Sequence, residues 1–214
     1  TLIPTREGAP YLEVQDRRGY GCWRLMVRIG ASRTYKSLSE IADPATRLHT
    51  AEQAGGGLAL FGTLSEGIDV ASLASPLPGF RDARVYYDQL LSVLAGHRTL
   101  EAAAPHLPAD PEVRAGTQQH FLLHLTEEER QRRLQHPEVR PYIDLLRAQE
   151  GYALLLPREM AAGRIRRAAI HGDTKLENFL FDAQTDQVKS LVDLDTIMPN
   201  SWLADWGDMV RSLC

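Results

Sequence analysis

A chain of 214 residues that is 43% hydrophobic and 24% charged has the balance of an ordinary globular protein, with enough apolar side chains to build a real core. Its net charge of −4 gives no electrostatic reason to bind nucleic acid or an anionic membrane, so neither is expected as a partner. No apolar run reaches the length of a membrane span, no secretory leader is legible, and the distant Cys22 and Cys214 form no disulfide framework, so a reducing, cytoplasmic setting is the expectation.

Pro10 to Val14 reads as a short extended segment, Asp16 to Gly21 as a turn, and Cys22 to Ile29 as a strand that Gly30 ends. Asp43 then caps a helix with Pro44 at its first position, and Leu48, Ala51, Ala54, Leu58, Phe61 and Leu64 recur along it at helical spacing. Gly55-Gly56-Gly57 interrupts that pattern. Without a following Lys-Ser/Thr it is no phosphate loop, and close helix packing explains it better. A loop at Pro76 to Gly79 leads to a second helix over Asp82 to Leu94, with Val85, Tyr86, Leu90 and Leu94 on one side. Further helices are predicted near Pro111 to Leu125 and Pro137 to Leu155, with a capping signal at Thr126 to Glu129 between them and a helical turn from Pro157 to Gly163. After Ile165 the chain returns to strand and loop.

The chemistry is concentrated near the end, in His171-Gly-Asp173-Thr-Lys175-Leu-Glu-Asn178, then Phe179-Leu-Phe181, a polar turn, Val188 to Val192 and Asp193-Leu-Asp195. If Phe179–Phe181 and Val188–Val192 form a hairpin closed by residues 182–187, Asn178 and Asp193 fall opposite each other at its open end. An amide oxygen and a carboxylate held together are hard ligands that suit Mg²⁺, which takes only one or two protein ligands when phosphates supply the others. Asp173, in the loop leading into the hairpin, would orient an acceptor hydroxyl and take its proton. Lys175 would place positive charge on a transferring phosphoryl group. His171 is expected to stabilise the loop by hydrogen bonding rather than to act as acid or base. Trp202 and Trp206 read as core, Asp208 as a helix cap, and the His120/His124 pair lacks the third ligand of a zinc site.

His-x-Asp, four residues, Asn, then an apolar strand ending in Asp resembles the catalytic loop and metal-binding aspartate of the protein-kinase-like fold. Gly172 and the Asp193-Leu-Asp195 run are similar to the aminoglycoside phosphotransferase family within it. His171 to Asp182, Val192 to Pro199 and Ala204 to Arg211 are similar to its N-acetylhexosamine 1-kinase branch. Weaker similarity, at Ile3-Pro-Thr, Pro10 to Glu13, Trp23-Arg24 and Ser32 to Tyr35, spreads it over most of the chain.

The resemblance implies an α+β fold with a mostly helical C-lobe and the last strands of a truncated N-lobe. Residues 1–30 would be the remnant of the small nucleotide-binding lobe and hinge, and 31–214 the helical catalytic lobe. It implies ATP and Mg²⁺ as cofactors, Asp173 as base and Asn178 and Asp193 as metal ligands. Asp195 would lie close to metal or sugar, and Asp205 would brace the catalytic loop. Arg28, Ile29, Gly30 and Ala31 would be the hinge whose backbone meets adenine. The implied acceptor is a sugar or sugar-like molecule. Other small-molecule kinases of aminoglycoside, choline or homoserine type, and a non-catalytic nucleotide-binding module, stay open. Asn200 departs from the glycine that usually follows Met-Pro. The phosphate-covering loop and strand lysine of the fold are not found before Ile29, and the helices that complete the sugar pocket do not follow Cys214, so a fragment or truncated relative is expected.

Overall fold

The computed structural model describes residues 2–214; Thr1, the first residue of the expected small-lobe remnant, lies outside the described residues. At the N-terminal end, β1 (Leu2–Ile3) pairs antiparallel with β4 (Leu25–Met26), and β2 (Leu12–Asp16) forms a hairpin with β3 (Gly19–Trp23). Asp16 closes the hairpin turn by accepting a hydrogen bond from the Arg18 amide at 2.7 Å, and Gly19 supplies its positive φ of 116°. The single strand expected over Cys22 to Ile29 is divided at Arg24, because the residues before it pair with β2 and those after it with β1. Leu12, Trp23, Leu25 and Met26 keep more than half their surface exposed.

A short strand, β5 (Ser32–Arg33), precedes the long helix α1 (Pro44–Leu64). Asp43 caps α1 by accepting from the Thr46 amide at 2.8 Å. The helix runs unbroken through Gly55-Gly56-Gly57. The reason is local at Gly57, where a Cβ would meet Val188 at 3.1 Å and Phe179 at 3.4 Å, so the bare backbone lets the helix lie against the strands behind it. Ala54 and Leu58 are buried there, whereas Leu48 and Leu64 at the two ends are exposed, leaving an apolar stripe narrower than the spacing implies.

A block of helices follows: α2 (Ala83–Ala95), α3 (Leu100–Ala103), α4 (Pro111–Thr117), α5 (Glu127–Leu134), α6 (Arg140–Ala148), α7 (Glu150–Ala153) and α8 (Leu155–Ala161). Asp82 caps α2, Asp110 caps α4 and Thr126 caps α5. On α2 the core position beside Val85 is filled by Tyr87, and Tyr86 is half exposed. The helix expected to run to Leu125 stops at Thr117 and continues as a 3₁₀ turn over Gln118–Phe121, which carries buried Phe121 into a small cluster with Val85 and Ala103. The helix expected over Pro137 to Leu155 starts at Arg140 and is two pieces, α6 and α7, while α8 takes in most of the helical turn expected from Pro157 to Gly163. Gln149 and Leu154 leave helical geometry between them, and Pro157 has no amide hydrogen to continue the ladder back to Ala153.

The last part is strand and loop. β6 (Ala168–Ile170) pairs with β9 (Met198–Asn200), and β7 (Phe179–Asp182) with β8 (Val188–Leu191), while β5 lies on the other edge of β7. The expected hairpin is present, but its register is one residue away from the expected one. Phe179 faces Leu191, and a bulge between Leu180 and Phe181 puts Phe181 opposite Val188. Asn178 therefore meets Val192, whose amide donates to its carbonyl at 2.9 Å, and Asp193 stands one residue beyond.

The final helix, α9 (Trp202–Leu213), is capped by Ser201. Trp202 and Trp206, expected in the core, are about half exposed. The inward positions of α9 are instead Asp205, Asp208 and Met209. Asp208 is likewise no cap but a buried mid-helix carboxylate. The main core joins α1, the hairpin and α9 through Ala54, Leu58, Leu176, Phe179, Phe181 and Met209. The result is a mixed α+β architecture, 49% helical and 14% strand. No helix among the described residues is long and apolar enough to cross a membrane.

Candidate active site

The site is built on the turn that leaves β6. His171 is fully buried, and the next residue, Gly172, has φ of 85° with the Thr196 carbonyl oxygen 2.5 Å from where a Cβ would sit, so only glycine fits. Two amides of this turn find their acceptor on α9: the carboxylate of buried Asp205 takes the His171 N–H at 2.7 Å and the Gly172 N–H at 2.8 Å. Thr174 donates to the Asp205 carbonyl at 2.5 Å, and Thr196 donates to the His171 carbonyl at 2.8 Å. Burial pushes the Asp205 carboxyl above the ordinary range, with the two amides acting in the opposite direction. The His171 ring links the loop to the hairpin, as Nε2–H donates to the Val192 carbonyl at 2.9 Å while Nδ1 accepts from the Asp173 amide at 3.3 Å. Those two partners fix one tautomer.

The turn presents the Asp173 carboxylate, which two other residues of the motif engage directly. Lys175 donates from Nζ to Oδ2 at 2.7 Å, and Asn178 donates from Nδ2 to the same oxygen at 3.1 Å and to the Asp173 carbonyl at 2.7 Å. Burial acts to raise the Asp173 carboxyl, but the Lys175 ammonium, then Asn178 and the charge of Arg81, outweigh it and hold it below the usual carboxylate range. Lys175 is raised in turn, chiefly by Asp173, with the negative charge of Asp193 contributing. The Asn178 amide nitrogen is committed to Asp173, which leaves its Oδ1 as the atom able to meet a cation. Asp193 adopts the left-handed conformation, φ 67°, as the chain turns off β8 into the 3₁₀ turn Leu194–Thr196.

Asp195 is not in hydrogen-bond contact with that group. Its exposed carboxylate pairs with Arg24, between β3 and β4, and so ties the N-terminal strands to the loop after β8. Arg28, Ile29, Gly30 and Ala31 form an exposed, irregular segment with several carbonyls already engaged. Ser32 donates to Ile29 at 2.8 Å, Lys189 to Gly30 at 3.1 Å and to Ala31 at 3.3 Å, and the Ala183 amide to Ala31 at 3.0 Å. Arg33 and Tyr35 clamp Asp186 in the turn of the same hairpin. The segment thus sits at the closed end of the β7–β8 hairpin, about 13 Å from Asn178 at some 3.3 Å per strand residue.

One residue of this site was invisible in the sequence. Arg81, in the turn before α2, donates from Nε to the Gly172 carbonyl at 2.8 Å and from Nη2 to Asp208 at 2.7 Å, with Nη2 3.9 Å from Asp173 Oδ1. Arg211 holds the other oxygen of Asp208 at 2.8 Å. No spacing rule links Arg81 to a glycine 91 positions later. Arg81 also lines a cleft of about 440 Å³ between its own turn, α8 and β9.

A glycine turn braced by a buried aspartate, a carboxylate paired to lysine and asparagine, and a hairpin leading away from them make an arrangement able to position a proton acceptor beside positive charge. The model of the phosphotransferase enzyme family known as APH matches residues 12–214, and the chain belongs to that family. Membership makes it a kinase-type phosphotransferase acting on small molecules.

Proposed function

We propose that this chain carries the catalytic centre of an ATP- and Mg²⁺-dependent kinase that phosphorylates a hydroxyl of a sugar, of the N-acetylhexosamine class. The observation that supports it most is the meeting of Asp173, Lys175 and Asn178 within hydrogen-bond distance on a rigidly braced turn. The sugar assignment draws on the similarity of Val192 to Pro199 and Ala204 to Arg211 to N-acetylhexosamine 1-kinases.

The donor set suits Mg²⁺, because Asn178 Oδ1 and the Asp193 carboxylate are hard oxygens that leave most of an octahedron to phosphates and water. When bound, the ion would supply charge neutralisation on the nucleotide phosphates. Asp173 accepts the acceptor's hydroxyl proton. Its depressed pKa keeps it ionised and ready near neutral pH, at some cost in basicity. Lys175 orients that carboxylate and keeps positive charge beside the path of the phosphoryl group. His171 and Asp205 hold the turn so that Asp173 need not reorganise during transfer. At the closed end of the hairpin, residues 28–31 have their carbonyls largely engaged, so their amides are the groups free to meet adenine.

The test is a panel of N-acetylglucosamine, N-acetylgalactosamine, choline, homoserine and kanamycin with ATP and Mg²⁺, read as phosphorylated product. A sugar 1-phosphate lost in Asp173→Asn with ATP binding retained supports the reading. Transfer to another member alone moves the substrate class, and ATP binding without transfer to any of them favours a nucleotide-binding module.

A further inference from the structure

The two oxygens of Asp173 are not equivalent. Oδ2 receives both Lys175 and Asn178, whereas Oδ1 accepts no hydrogen bond from the described residues and faces Arg81 Nη2 at 3.9 Å. That separation is too long for a hydrogen bond and the right size for one hydroxyl oxygen to sit between the two atoms, about 2.8 Å from each. Arg81 Nη2 carries two hydrogens. One is on Asp208, and the second is available.

The arginine is held in place on every side. Its backbone has the left-handed φ of 59°, uncommon for a side chain of this size, and is fixed by Tyr86, which accepts from its amide at 3.0 Å, and by Asn200, which donates to its carbonyl at 3.3 Å. The guanidinium stacks 5.0 Å from the Phe80 ring centre and spans Gly172 and Asp208. Asn200 lies in β9, so the residue that departs from the usual glycine is one of those that set Arg81. A strained, fully tethered arginine aimed at the unoccupied oxygen of the base is preorganised for a ligand atom rather than needed to hold Asp208, which Arg211 already neutralises.

We propose that Arg81 and Asp173 Oδ1 together hold the acceptor hydroxyl, which donates its proton to Oδ1 and accepts a hydrogen bond from Arg81 Nη2. The inference rests on the reading of Asp173 as the base. Arg81 thereby selects an acceptor oxygen and aligns its lone pair, while the proton passes to the carboxylate as the new O–P bond forms and the nucleotide's bridging O–P bond breaks.

Steady-state kinetics of Arg81→Gln and Arg81→Lys on the same five acceptors test it. Arg81→Gln is expected to raise KM for the phosphorylated acceptor at least tenfold and lower kcat, with KM for ATP within twofold. Arg81→Lys, which keeps the charge without the fork, is expected to lose less. An analogue of that acceptor lacking the phosphorylated hydroxyl should inhibit wild type and Arg81→Gln equally, which a general loosening of the loop would not produce. Acceptor KM unchanged in whichever variant folds, or analogue binding weakened alongside it, overturns the proposal while leaving phosphoryl transfer in place. Failure of both variants to fold assigns Arg81 to the scaffold and also overturns it. No transfer by the wild type to any acceptor removes the base reading and this inference together.

Discussion

The ammonium of Lys175 lies 2.7 Å from Oδ2 of Asp173, and each shifts the other's titration toward the charged form. The pair fixes one carboxylate oxygen and leaves the other toward the opposite side of the turn.

Removing the ammonium gives a pH-dependent outcome. Asp173 has a folded pKa below its ordinary value, so its charged form persists to lower pH than a free carboxylate would. In Lys175→Met the burial penalty is no longer offset by that ion pair, and the carboxyl rises. The acid limb of kcat/KM against pH should move to higher pH, with kcat at neutral pH reduced by about 10²-fold. Rate profiles of the two proteins on a common acceptor check this. A limb that stays in place would show that Lys175 does not set the base.

Asp205→Ala deletes the acceptor for two buried amides, each of which costs about 1–3 kcal/mol when left unpaired. Denaturant unfolding should show a loss of about 3 kcal/mol or more. Asp205→Asn keeps one acceptor oxygen and should lose less, because burial already disfavours the charge at this position.

Gly172→Ala places a methyl group 2.5 Å from the Thr196 carbonyl oxygen in a backbone conformation that disfavours any side chain. A loss of more than about 2 kcal/mol is expected. Phosphoryl transfer should fall further than the remaining folded fraction explains, since the turn aims Asp173. Calorimetric melting with activity corrected for folded fraction separates the two effects.

Acid stability should depend on salt. Asp182, Glu127 and Glu129 are each lowered to about 2: Asp182 first by the Gln184 and Thr185 amides, and the two glutamates first by arginines of α5. Lowered folded values mean that their contribution is present above the unfolded carboxylate range and is lost as pH falls from about 4 toward 2. Glu127 is exposed and its partner-rich neighbour Glu129 lies at the surface of the same helix, so the contribution of the glutamate ion pairs should shrink as ionic strength rises. Melting temperature against pH at low and high salt reads this out.

The sequence was most legible where a local rule sufficed. Asp43 and Thr126 stand as caps because a short side chain before a periodic run has few other ways to satisfy its neighbours' amides. The turn–strand–turn–strand pattern after His171 produced the hairpin, but not its register, because alternation fixes the face a side chain takes and not the residue it meets across the ladder. Trp202 and Trp206 were misplaced because hydrophobicity alone assigned them inward. The inner face of α9 is polar, turned toward the amides of His171 and Gly172 and toward Arg81. Arg81 was unreadable for a different reason: its partners come from four separate parts of the chain, and its own neighbours in sequence carry no motif.

The bare backbone of Gly57 has a mechanical consequence for all of this. The hairpin rests on α1 at a point where one hydrogen, not a methyl group, separates helix from Val188 and Phe179. Asn178 and Asp193 project from the hairpin's free end just past that support. Any bulkier residue at 57 would act as a wedge under a lever, tilting Asn178 and Asp193 together from a helix that lies outside their motif.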